Sequence, residues 1–239
     1  MTAAPHPLAE LIATLPIAQP TVAVGAVPPT GRRPGYAPSP PDAQDQAALR
    51  ATLLEYLPAP FRNLSLRGNE LASYVVGGQR AVEACRRAFA EAAKRSKRAS
   101  LGHVVLRGSS GSGKTAVASA WLADCIRANR EGLAFCAAID LDRQRTMSTG
   151  RELAWEEIAT RTRLVVLDDL GAELKGASEQ SGLAAQRRDA TMRVVHARYN
   201  RGLRHIVTTA HDQDALVRLY DDGFARRIYG GAITVELGA

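Results

Sequence analysis

Gly108-Ser109-Ser110-Gly111-Ser112-Gly113-Lys114-Thr115 carries glycine, lysine and threonine at the spacing that wraps backbone N–H groups around a phosphate chain. Glycine permits the tight curl, and the helix that opens with Ala116 presents the positive end of its dipole. Lys114 reaches the β- and γ-phosphate oxygens, and the Thr115 hydroxyl can ligate Mg2+. The apolar run 103–106 before the loop and the helical pattern after it supply the required strand–loop–helix context. The chemistry indicated is binding of a nucleoside triphosphate.

Hydrolysis needs carboxylates, and Leu164-Val165-Val166-Leu167-Asp168-Asp169 ends a buried strand with two of them. Open α/β sheets place their ligands at such strand ends. Asp168 is expected to hold Mg2+, directly or through water, and Asp169, pointing elsewhere, to orient or deprotonate the attacking water. Glu173 is expected to be solvent-exposed. A second strand end, Ile206-Val207-Thr208-Thr209, offers a hydroxyl from Thr208 or Thr209 to the water or the γ-phosphate. Arg226 and Arg227 are candidates for countering charge on the transferred phosphoryl group, an effect worth about 10³ to 10⁵ in rate, and Arg227 is favoured.

These groups need a scaffold. From residue 103 onward, short β-branched runs without polar alternation, at 103–106, 134–139, 164–167, 205–208 and 232–235, are separated by helical patterns. That pattern predicts a three-layer α/β sandwich around a five-stranded parallel sheet. Upstream, a helix is expected over 78–98, with Val82, Cys85 and Phe89 on its apolar face and Arg80, Arg86, Arg87, Lys94, Arg95, Lys97 and Arg98 on the others. That basic side is either a solvated face or a phosphate-backbone contact. Residues 42–60 read as a short helical segment, ended by Pro58 and Pro60 and available for partner docking. Residues 1–41, rich in Pro and Ala, read as a flexible tail in which Leu8, Leu11, Ile12 and Leu15 share one helical face.

The net charge of +7, from 31 Lys and Arg against 24 Asp and Glu, favours an anionic partner, with nucleic acid foremost. No run approaches the ~18 apolar residues of a membrane span, and the N-terminus lacks a basic start followed by an apolar core, so a cytoplasmic location is expected. Cys85, Cys125 and Cys136 form no C-x-x-C pair and are read as buried reduced thiols rather than zinc ligands.

The P-loop, the run LVVLDDLG at 164–171, the IVTT strand at 206–209 and FARRIYGGAITVEL at 224–237 together resemble the DnaC/IstB-like branch of AAA+ ATPases. The segment Phe61-Arg62-Asn63-Leu64 followed by Asn69 resembles that family's nucleotide-entry linker. The likeness covers about residues 60–237. It implies strand order 5-1-4-3-2, ATP with Mg2+ as ligands, and a homo-oligomer in which one subunit's arginine completes its neighbour's site. By position Arg227 matches that arginine, Asp169 the catalytic acid, and Thr209 lies in the sensor strand. Two departures stand out. Ala210 occupies a position where relatives often carry asparagine, with His211 next, and the last strand is followed by almost no chain, so the helical lid of larger relatives is minimal or absent.

The resemblance implies an ATPase working on single-stranded DNA, with residues 61–239 as its ATPase domain. The first expectation is a DnaC-like loader whose N-terminal segment docks a replicative helicase. The alternatives are an IstB-like helper partnered with a transposase, a nucleotide-binding adaptor with little hydrolysis, and a small-molecule kinase.

Overall fold

The computed structural model of the 239-residue chain describes residues 57–97, 103–128, 133–138, 163–174 and 182–238, together with residues 47, 50, 51, 54 and 55. The tail over 1–41 and most of residues 42–56 lie outside the described residues.

Strands β1 (Val104–Gly108), β2 (Leu133–Ala137), β3 (Leu164–Leu170), β4 (Arg204–Thr209) and β5 (Ile233–Leu237) form one sheet in the order β2-β3-β4-β1-β5. All four pairings are parallel, and read from the other edge the order is the expected 5-1-4-3-2. Val104, Leu106, Leu164, Val166 and Ile206 pack on one side against α1 (Gly78–Lys97) and α2 (Lys114–Arg127). Val105, Val165, Leu167 and Val207 pack on the other side, where the core includes Val194 and Val195 of α3 (Gly182–Asn200), Leu216 of α4 (Gln213–Leu219) and Phe224 of α5 (Asp222–Tyr229). Successive strand residues alternate between two buried faces, which is why the strands show no polar alternation in sequence. Each such side chain, fully withdrawn from water, contributes about 1.5–3 kcal/mol.

The helical pattern over 212–229 resolves into two helices, because Tyr220 leaves helical geometry and Asp221 begins afresh as an N-cap. The Asp221 carboxylate accepts from Phe224 N at 2.5 Å, as the Asp212 carboxylate accepts from Ala215 N at 2.8 Å. On α1, Val82, Cys85, Ala88, Phe89 and Ala92 are buried while Arg80, Arg87 and Lys94 are exposed. Arg86 instead donates to Leu66 O and Arg95 to Gly231 O, so part of the basic face braces the fold. Cys85 and Cys125 are buried, and burial pushes the Cys85 thiol up to about 12.

At the upstream end, Leu57 is buried in the core cluster and Leu54 packs against it. Leu57 thus carries the core one residue upstream of Pro58.

Candidate functional site

Three strand ends build the site. β1 lies between β4 and β5, so the chain reverses direction across the sheet beside the P-loop, the position at which open α/β sheets bind ligands. Gly113 is the N-cap of α2 at φ 95°, and a Cβ there would stand 2.4 Å from Tyr74 O. A Cβ on Gly108 would stand 2.1 Å from Leu237 O. These two glycines are required because the loop is threaded between the end of β5 and the 3-10 turn Glu70–Tyr74. Val76 N donates to Ser112 O at 3.2 Å and holds that turn over the loop. Ser109, Ser110 and Gly111 are exposed, Ser112 and Ala116 are buried, and Lys114 is only 7% exposed. The Lys114 ammonium donates to Gly108 O at 2.9 Å and Ser109 O at 2.7 Å, which stations it over the loop.

The acidic strand meets the loop directly. Thr115 Oγ1 donates to Asp168 Oδ1 at 2.9 Å, with Oδ2 at 3.1 Å, and Thr208 Oγ1 donates to Oδ1 at 2.7 Å. Asp169 N in turn donates to Thr208 Oγ1 at 2.8 Å. Burial raises the Asp168 pKa; the Thr208 and Thr115 hydrogen bonds oppose that rise, Asp169 adds to it and Lys114 opposes it. A hydroxyl and a carboxylate side by side are hard oxygen donors of the kind Mg2+ takes together with water and substrate phosphates. Among the described residues no group of three or more His, Cys, Asp or Glu is placed to hold a metal by itself. An ion held here would complete its shell with water and phosphate oxygens.

Asp169 differs from its neighbour because of a β-bulge. Leu167 pairs with Val207 and Leu170 with Thr209, so β3 carries one extra residue at the aspartate pair. Asp169 takes φ 52°, the one positive φ outside glycine among the described residues. Its side chain is exposed while Asp168 is buried. The bulge thus turns one carboxylate inward to Thr115 and the other outward into a cleft of about 360 Å³, lined by the P-loop, both aspartates and Ala210. Phe61 and Tyr74 form the remaining wall, their rings edge to face with centroids 5.8 Å apart, and provide an apolar surface of the kind a purine base stacks on. Phe61 belongs to the linker segment noted in the sequence; Tyr74 was missed there, since an isolated tyrosine in a loop carries no pattern.

The structure bears on three of the expectations. Thr209 Oγ1 donates to Leu170 O at 2.8 Å and accepts from His211 N at 3.1 Å, so its hydroxyl is committed to closing the bulge. Of the two threonines, Thr208 is the one that touches the acidic pair. Glu173, expected in solvent, is 0% exposed and hydrogen-bonded to Gly171 N, Thr191 and Tyr220. Arg227 does not line the cleft. It lies over the Tyr199 ring at 5.5 Å, near the end of α3 that leads into the start of β4, which is the opposite end of that strand from Thr208 and Thr209. Arg226 is largely exposed and pairs with Asp222.

No family model matches the chain, and no curated protein matches its sequence. Solved structures do. A structure described as DnaI is 21% identical, with a TM-score of 0.54, over 76% of this chain and 95% of that one. The DnaC helicase loader is 20% identical, with a TM-score of 0.54, over 75% and 99%. The replication initiator DnaA, bound to AMPPCP and single-stranded DNA, is 19% identical, with a TM-score of 0.53, over 71% of this chain and 49% of that one. This chain therefore spans about half the length of the initiator and nearly all of the DnaI and DnaC chains. The five-stranded parallel sheet, with the P-loop and the acidic strand tip at the same end of its strands, has the fold of the solved DnaI, DnaC and DnaA structures.

Proposed function

We propose that this protein binds and hydrolyses ATP with Mg2+ and acts in DNA replication as a DnaC-like helicase loader on single-stranded DNA. The observation that carries the ATP-binding step is the Thr115–Asp168 contact, which joins the P-loop to the acidic strand end on one wall of the cleft. The loop N–H groups and Lys114 take the phosphates, and Phe61 and Tyr74 take the base. Thr115 and Asp168 hold Mg2+, which when bound offsets charge on the phosphate oxygens. Asp169 faces the cleft as the base that takes a proton from the attacking water, and Thr208 fixes its backbone. Arg227 acts on the neighbouring subunit's cleft in a homo-oligomer, in keeping with its distance from its own.

The loader reading, rather than the transposition helper, is supported by the likeness to the loader chains over nearly their whole length. Single-stranded DNA as partner is supported by the net charge of +7 and by the exposed Arg80, Arg87 and Lys94 on α1. The segment upstream of Leu54 is the part that docks the replicative helicase.

A second reading, a nucleotide-binding adaptor with little hydrolysis, is favoured by Ala210 at the cleft and by the commitment of Thr209 to the backbone. Single-turnover phosphate release in the presence of single-stranded DNA decides between them. The ATPase reading expects release that is abolished with nucleotide binding in Lys114→Ala, and that slows about 10²- to 10⁴-fold with binding retained in Asp169→Asn. No release from the wild-type protein selects the adaptor.

A further inference from the structure

Glu173 sits in the 3-10 turn Ala172–Leu174, directly after the bulged end of β3, and has no contact with solvent. Its Oε2 accepts from Gly171 N at 2.8 Å. Its Oε1 accepts from Thr191 Oγ1 of α3 at 3.0 Å and from the Tyr220 hydroxyl. Three donors converge on two oxygens, and an ionised carboxylate is the side chain that only accepts. An amide in its place meets Gly171 N–H with its oxygen only by turning its NH2 toward the two hydroxyls, which must then accept, and their own protons lose the carboxylate acceptor.

The elements joined are those the site depends on. Gly171, at φ 98°, directly follows the bulge that turns Asp169 outward. Tyr220 stacks on Phe224, ring centroids 4.2 Å apart and planes 22° apart, and Phe224 lies one turn before Arg227 on α5. Arg187 of α3 also donates to Glu173 O at 3.1 Å. Burial pushes the Glu173 carboxyl above its ordinary range, while the Tyr220, Thr191 and Gly171 bonds pull it back. A buried acid that costs solvation yet meets three matched donors is suited to setting geometry.

We propose that Glu173 is a positioning residue which, from outside the cleft, holds the Asp169-bearing bulge and the Arg227-bearing helix in one fixed relation. It rests on the ATPase reading only for its effect on rate; the mechanical link stands apart from it. The test is Glu173→Gln in the full chain, read by amide hydrogen exchange and by single-turnover hydrolysis. Exchange should rise roughly tenfold or more over 168–171 and 222–229 and stay unchanged over α2. Nucleotide affinity should hold within about twofold while hydrolysis falls about 10- to 100-fold. Exchange that is unchanged, or raised evenly along the chain, overturns the proposal, as does loss of affinity in step with rate. If Glu173→Gln fails to fold, Tyr220→Phe, which keeps the ring stack and removes the hydroxyl, is read the same way, with local loosening expected and none overturning the link. A wild-type protein that releases no phosphate sinks the ATPase reading alone, since the exchange measurement still decides the link.

Discussion

Asp168 is the residue on which the site turns, because its carboxylate receives hydroxyls from both the P-loop helix and β4. The two threonines of β4 divide the remaining work. Thr208 Oγ1 donates to Asp168 and accepts from Asp169 N, whereas Thr209 Oγ1 donates to Leu170 O. Thr208→Val should therefore bind nucleotide with near wild-type affinity yet slow single-turnover hydrolysis about tenfold or more, by releasing both aspartates. Thr209→Val should leave a buried carbonyl without its donor and cost about 1–3 kcal/mol of stability, seen as a lower melting temperature, with the smaller effect on rate. The reverse pattern would reassign the two. The P-loop and the Asp pair were legible in sequence because each is a contiguous run whose chemistry does not depend on distant partners. The choice between Thr208 and Thr209 was not, since both are buried and a strand covered on both faces shows no polar alternation to set its parity.

Among the elements, β3 and its bulge carry information that spacing alone does not. The extra residue is visible only in the register with β4, and the burial of Glu173 depends on Thr191 and Tyr220, 18 and 47 positions away. Helix α1 and the five strands were legible to within a few residues because their apolar periodicity is local. At the far end of the sheet, where β1 and β4 begin, His103 and His205 stack with ring centroids 3.8 Å apart and are both fully buried. Burial and the charge of Arg198, whose own pKa burial lowers to about 9, push His103 down to about 4, and burial, His103 and Arg198 push His205 well below its ordinary value. Arg204 adds to the effect on His103. The unfolded imidazoles take up protons near pH 6.5, before the folded ones, so stability is full above 6.5 and is lost as pH falls toward 4. Denaturant unfolding should show about 1.4 kcal/mol less stability per imidazole at pH 5.5 than at pH 7.5. His103→Phe, which keeps an aromatic ring in the stack, should remove about half of that loss. A stability unchanged between the two pH values would contradict the neutral, buried pair.

For the whole molecule, the proposal that Arg227 serves a neighbouring cleft makes assembly part of the proposed mechanism. On that proposal Arg227→Ala and Lys114→Ala damage different halves of an intersubunit site, so mixing the two inactive proteins should restore part of the single-stranded-DNA-stimulated turnover at mixed interfaces. No recovery at any ratio would show that Arg227 serves its own subunit or serves only to pack over Tyr199. The burial of Leu57 and the packing of Leu54 against the core carry buried apolar surface upstream of Pro58 and Pro60. That contact was hidden in sequence because two prolines end a helix without ending the core behind it.

The account rests on Mg2+ and a triphosphate being held between Lys114 and Asp168. The direct measurement is the affinity for a fluorescent ATP analogue with and without Mg2+, in the wild-type protein and in Asp168→Asn. Mg2+ should tighten binding to the wild type by about tenfold or more, and that gain should vanish in Asp168→Asn while the metal-free affinity stays comparable. An equal gain from Mg2+ in both proteins would contradict the shared site.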